Sequence, residues 1–118
     1  MMPTQDWVFR SRAERVIDGD TIEITIDQGL HSERYEQVRI LGVNCPEIHG
    51  PSKVAGDAAA AFTRSWLGTN APGTWPLRIQ TVKDDAFGRW LATVWRVSDG
   101  ACLNDDLLSS GNAVVYKR

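Results

Sequence analysis

Apolar and polar residues alternate from Thr21 to Asp27, with Ile22, Ile24 and Ile26 on one face and Thr21, Glu23, Thr25 and Asp27 on the other. That period of two predicts a half-buried strand. The segment before it, Val8 to Ile17, is mixed. Gly29 lies in the polar stretch Asp27 to Ser32, and Arg34 to Val43 is again extended in pattern through Tyr35, Val38 and Ile40, so the two segments predict a hairpin. Pro46, Gly50 and Pro51 exclude a helix or a central strand between Cys45 and Lys53 and predict a loop. From Val54 to Leu67 the period becomes helical: Ala55, Ala58, Ala59, Phe62 and Trp66 share a stripe, Asp57 and Arg64 lie off it, and Ser52 is placed to cap the start. Gly68 to Gly73 ends this helix. Trp75 to Val82 and Arg89 to Val97 predict strands apolar on both faces, Asp99-Gly100 a turn, and Leu103, Leu107 and Leu108 a short helix that stops at Gly111.

Three strands, a helix, two strands and a short helix do not alternate as a parallel α/β fold requires, and short strands favour a small, twisted antiparallel barrel. The fold class expected is mainly β, a five-stranded barrel of the oligonucleotide-binding type with packed helices; a two-layer α+β sandwich satisfies the periodicity nearly as well. A chain of 118 residues carries one core, and its 42% hydrophobic and 24% charged residues belong to a folded globular domain. Such a chain buries roughly 65% of its unfolded surface, enough to fold without metal or disulfide staples. No stretch approaches the ~20 apolar residues of a membrane span, and the first residues lack the basic and apolar pattern of a leader, so a cytoplasmic location is expected, or a secreted one if a leader has been removed. Cys45 and Cys102 match no metal-ligand spacing.

Charge changes the picture more. Thirteen basic and fifteen acidic residues leave a net charge of −2, which excludes binding of nucleic acid through bulk charge alone. Any affinity for a phosphate polymer must be local. All basic residues except Lys53, Lys83 and Lys117 are arginine, the side chain that forks onto phosphate oxygens. Arg10 and Arg12 share a strand face, read as solvated, the alternative being an extended phosphate track. Trp66, Trp75, Trp90 and Trp95 are expected in the core or barrel wall.

Three segments at the ends of expected strands carry the chemistry: Val16-Ile17-Asp18-Gly19-Asp20-Thr21, Val38 to Glu47, and Asp84-Asp85-Ala86-Phe87-Gly88-Arg89. Singly, each is an ordinary turn or strand end. Together they are more. Asp20 and Asn44 offer hard oxygen ligands beside backbone carbonyls, a set that Ca²⁺ accepts and soft metals do not. Glu47 lies on the loop after Asn44, where a carboxylate accepts a proton from a water. Arg39 and Arg89 supply guanidinium groups from different strands. Two cations and a metal facing one carboxylate describe a site for a phosphodiester. Asp18 and Asp85 are read as turn-forming carboxylates, and His49 as an incidental loop residue.

These three segments resemble the signature of the staphylococcal nuclease (thermonuclease) family over about residues 13 to 116. The resemblance implies a nuclease domain over residues 13–118, preceded by an extension and the start of the first strand over 1–12. It implies the barrel named above, without a third, C-terminal helix. The activity implied is Ca²⁺-dependent hydrolysis of DNA and RNA with little sequence specificity, cutting at the 5′ oxygen and leaving 3′-phosphate ends, by a monomer that needs no membrane. Asp20, Asn44 and the Cys45 backbone carbonyl would hold Ca²⁺, with Asn44 standing where the family has a second Asp. Glu47 would position or deprotonate the attacking water, and Arg39 and Arg89 would hold the phosphate from opposite sides. Phe87, where the prototype has a tyrosine, and Tyr116 would contact substrate. The segment Leu103 to Leu108, Gly111 and Tyr116 would be the second helix and its strand-like exit. Asn44 removes one charge from the metal site, so weaker Ca²⁺ binding, or another divalent cation, is expected. The same departure defines the alternative of a weakened or inactive barrel that binds nucleic acid or protein.

Overall fold

The computed structural model describes residues 8–84 and 89–116, the Asp84 side chain excepted. The first three strands, β1 (Val8–Asp18), β2 (Thr21–Gly29) and β3 (Ser32–Ile40), pair antiparallel in order. The alternation in β2 does what its pattern requires: Ile22, Ile24 and Ile26 all turn into the core. β1 is longer than the mixed pattern suggests, and register shifts between Ala13 and Arg15 and between Val16 and Asp18 bend it. Bulges of this kind raise the local twist. The bend lets β1 pair with β2 over most of its length while Val8 to Ser11 reach across to β5 (Leu77–Asp84).

β5 forms an antiparallel pair with β6 (Arg89–Arg96), and β6 closes the barrel against β3, giving the order β1-β2-β3-β6-β5. The barrel is closed, as expected, but it is mixed rather than antiparallel throughout. Val38, Arg39 and Ile40 of β3 run parallel to Trp90, Leu91 and Ala92 of β6. The helix α1 (Lys53–Leu67) between β3 and β5 provides the long crossover that a parallel pair needs. A second helix, α2 (Leu103–Ser109), follows β6. Two short strands, β4 (Val43–Asn44) and β7 (Val114–Val115), pair outside the barrel and tie the segment after α2 to the end of β3. Among the described residues no helix is long and apolar enough to cross a membrane.

Two local expectations are corrected. The buried face of α1 is Gly56, Ala59, Ala60, Thr63, Trp66 and Leu67, while Ala55 and Ala58 are exposed. Several alanines in a row leave the apolar stripe free to rotate, and packing chose the face carrying the small Gly56. Ser52 precedes α1 but does not cap it through its side chain; its hydroxyl instead donates to the Glu47 carbonyl at 3.3 Å. The tryptophans behave as expected, with Trp66 buried and Trp75, Trp90 and Trp95 half-buried.

Candidate active site

Asp20 ends the turn between β1 and β2 with its carboxylate buried beside the segment after β3. Its Oδ2 accepts the Cys45 N–H at 2.9 Å and its Oδ1 accepts the Thr21 hydroxyl at 3.2 Å. The Asp20 N–H in turn donates to Asp18 Oδ1 at 3.3 Å, so Asp18 shapes the turn. Burial, then the hydrogen bond and negative charge of Asp20, push the Asp18 carboxyl up to about 6. Cys45 contributes through its backbone. Its thiol is buried, pushed up to about 12 by that burial, and packed against Gly19.

α1 is the platform on which both turns rest. Thr63 donates its hydroxyl to the Gly19 carbonyl at 2.8 Å, and a Cβ on Gly19 would lie 2.8 Å from the Ala59 methyl and 2.9 Å from Cys45 Sγ. The loop carrying Glu47 lies as close: a Cβ on Gly56 would overlap the Glu47 carbonyl and come within 2.8 Å of the Ile48 nitrogen. Glu47 itself is exposed on that loop, as are Asn44 and His49. The platform residues Gly19, Gly56 and Thr63 were not among the expected site residues. The available signal was the small Gly56 inside a helical pattern, where glycine usually marks a close approach.

Arg39 gathers the oxygens of the second turn. Its Nη2 lies 3.0 Å from Asn44 Oδ1, 3.4 Å from the Val43 carbonyl and 3.6 Å from Asp20 Oδ2. The guanidinium also lies over the Tyr116 ring, 5.3 Å from its carbon to the centroid. Tyr116 is held there by its N–H, which donates to the Gly42 carbonyl at 2.9 Å, just past the β4–β7 pairing. Arg89 begins β6, the strand beside β3. Val38 and Ile40 are buried in the core, so Arg39 between them, half-buried, lies on the outer face of β3, and Arg89 is exposed. Leu91 is the partner of Arg39, and Arg89 lies two residues back on the same side of β6. Asp20, Arg39, Asn44, Cys45 and Tyr116 are thus brought together, with Arg89 on the adjoining strand and Glu47 on the adjoining loop. Phe87 and Asp85 lie outside the described residues.

Arg12 departs from the expected solvated face. Arg12 is buried, stacked 4.9 Å over the Trp75 ring, with Nη2 3.1 Å from Glu33 Oε1. Arg10 pairs with Asp27 and also lies over Trp75. The Arg10 side chain stays exposed, as expected of a solvated face, whereas Arg12 is drawn out of solvent among Trp75, Glu33 and Glu14, so the two do not share one solvated face. Sequence periodicity could not show that Trp75 would fold over them.

The donor set around Arg39 suits a hard cation. One positive nitrogen already touches a carboxylate oxygen, an amide oxygen and a backbone carbonyl from two distant turns. Convergent oxygens of mixed type are what Ca²⁺ takes. Among the described residues no three His, Cys, Asp or Glu side chains cluster, so a cation here would depend on amide and carbonyl oxygens as well as Asp20.

The barrel and this site carry the family comparison. A family model described as staphylococcal nuclease homologue matches residues 37–118, more than half of the chain, and the chain belongs to that family, which is of nuclease type. A search of curated proteins finds no match. The matched segment holds Arg39, Asn44, Cys45, Glu47, Arg89 and Tyr116 but begins after Asp20, which the fold alone joins to them.

Proposed function

We propose that this protein is a divalent-cation-dependent phosphodiester hydrolase acting on DNA or RNA with little sequence specificity, using Ca²⁺ and leaving 3′-phosphate ends. The observation that carries this reading is the meeting of Asp20, Asn44 and Arg39 at one point, with a second arginine, Arg89, on the same face of the adjoining strand. Asp20, Asn44 and the Cys45 carbonyl would hold the cation; bound there, it supplies neutralisation of the phosphate charge and a more acidic water. Arg39 and Arg89 hold the phosphate and stabilise charge developing on its oxygens. Glu47, exposed on its loop, accepts a proton from the attacking water as the new P–O bond forms and the bond to the 5′ oxygen breaks, the leaving 5′ oxygen taking a proton from solvent to become a hydroxyl. Tyr116 offers a ring beside Arg39 for a base or sugar, and Phe87, outside the described residues, would offer another for stacking.

The test is digestion of single-stranded DNA, RNA and plasmid with Ca²⁺, with Mg²⁺ and with chelator, followed by end-group analysis. Calcium-dependent cleavage giving 5′-hydroxyl and 3′-phosphate ends is expected. Glu47→Gln and Arg89→Ala should each lower kcat by about a hundredfold or more. Cleavage that survives chelation, or products with 5′-phosphates, would reject the proposal. Binding without cutting would replace it with a non-catalytic barrel, the reading that the neutral Asn44 favours.

A further inference from the structure

In the proposed reaction Arg39 belongs to the substrate phosphate, yet its guanidinium is spent on two of the oxygens assigned to the cation, those of Asp20 and Asn44. A single nitrogen, Nη2, is 3.0 Å from Asn44 Oδ1, 3.4 Å from the Val43 carbonyl and 3.6 Å from Asp20 Oδ2. A divalent ion seated on Asp20 and Asn44 needs the same lone pairs, at the shorter distances of about 2.3–2.6 Å that calcium requires. It also repels the guanidinium. Both cannot be satisfied there at once.

Arg39 has somewhere else to rest. Its guanidinium also lies over the Tyr116 ring, 5.3 Å from the centroid, and that contact uses none of the contested oxygens. Tyr116 is fixed independently of Arg39, through its backbone bond to Gly42 and the pairing of Val115 with Val43. The ring can therefore keep the guanidinium close when its oxygens are taken.

We propose that Arg39 and the divalent cation compete for one set of oxygens, so that Arg39 sets the affinity of the site for its cation and is released toward the phosphate only when the cation has replaced it. This rests on the calcium reading of the site and deepens it. Asn44 tilts the contest. A neutral amide oxygen still accepts a good hydrogen bond from arginine, but it gives a doubly charged ion one unit less of attraction than a carboxylate would. The arginine loses less than the cation does. Coulomb attraction doubles for a double charge, so Asn44→Asp should shift the balance back to the cation even though it also attracts Arg39.

The experiment uses the full chain without nucleic acid: calorimetric titration with Ca²⁺, and ¹H–¹⁵N spectra of the Arg39 Nε–H during the same titration. The Arg39 signal should move as Ca²⁺ binds. Arg39→Lys keeps the positive charge but carries it on a compact, more strongly hydrated ammonium that holds these oxygens less well, and should bind Ca²⁺ about tenfold more tightly than the parent. Asn44→Asp should also tighten binding. Ca²⁺ binding that leaves the Arg39 signal in place, with Arg39→Lys no tighter than the parent, would overturn this inference and leave the calcium reading standing. Failure of every variant, Asn44→Asp included, to bind Ca²⁺ would overturn both. The spectra of the unaltered protein decide the question even if Arg39→Lys does not fold.

Discussion

Gly56 in the first turns of α1 and Glu47 in the loop after β4 touch backbone to backbone, so closely that a methyl group on Gly56 would overlap the Glu47 carbonyl oxygen. The helix that crosses from one half of the barrel to the other is thereby also the seat of the exposed carboxylate. On helix propensity alone, Gly56→Ala should stabilise by about 1 kcal/mol. The overlap reverses that sign. A loss of about 1–3 kcal/mol in urea unfolding is expected, the range for overpacking, together with a fall in turnover at saturating substrate as the Glu47 loop is pushed away. A Gly56→Ala protein that is both more stable and fully active would show that the loop does not need this seat.

The β2–β3 hairpin closes with Gly29 opposite Ser32, leaving Leu30 and His31 as a two-residue turn with φ of 56° and 60°. Positive φ at both positions is the mirror-image turn that suits hairpin twist, and it favours Asn-Gly. Leu30 is also wholly exposed. Replacing the pair by Leu30→Asn and His31→Gly should stabilise by about 1–2 kcal/mol, seen as a higher urea midpoint with an unchanged m-value. No gain would mean that the strain of this turn is already relieved elsewhere.

Asn104 on α2 is buried and fully used: Oδ1 accepts the Val94 N–H at 3.1 Å, and Nδ2 donates to the Leu41 and Ala92 carbonyls at 2.8 and 3.1 Å. It pins α2 where β3 and β6 run parallel, just after Arg39. Asn104→Ala strands three backbone groups and should cost about 3 kcal/mol or more. Asn104→Asp should do no better, because a carboxylate cannot donate to the two carbonyls. Calorimetric unfolding of both variants checks this, and rescue by Asp would show that the donated bonds contribute little.

The Arg96 fork holds the Asp99 carboxyl down to about 2, with help from the Ala101 N–H. A carboxylate whose pKa is lower folded than unfolded adds stability that is present above its ordinary value near 3.8 and lost as pH falls toward 2. Carbon-detected NMR titration should place Asp99 near that value. Arg96→Gln should bring it back toward the ordinary carboxylate range, and an unmoved Asp99 would show that the Ala101 amide alone holds it.

How far the residues themselves disclose this molecule varies with how local the cause is. The inward face of β2 was legible because a period of two leaves Ile22, Ile24 and Ile26 no other way to leave water. The face of α1 was not, because alanines at 55, 58, 59 and 60 satisfy several rotations equally, and only the approach of Glu47 and Gly19 selects among them. Arg12 was misread for a similar reason: its burial depends on Trp75, sixty-odd residues away, folding over it.

For the site, the sequence alone determined which groups are available. Carboxylate, amide, guanidinium and aromatic side chains sit at strand ends and turns because turn chemistry and strand periodicity are short-range effects that neighbouring residues impose. Tertiary structure decided what those groups do to one another. The Cys45 amide reaches the Asp20 carboxylate across the gap between two turns, Arg39 takes the oxygens of both, and Tyr116 closes over it from the far end of the chain. Such meetings follow from barrel closure and from the parallel pairing of β3 with β6. They are settled by long-range packing, to which no window of neighbouring residues has access.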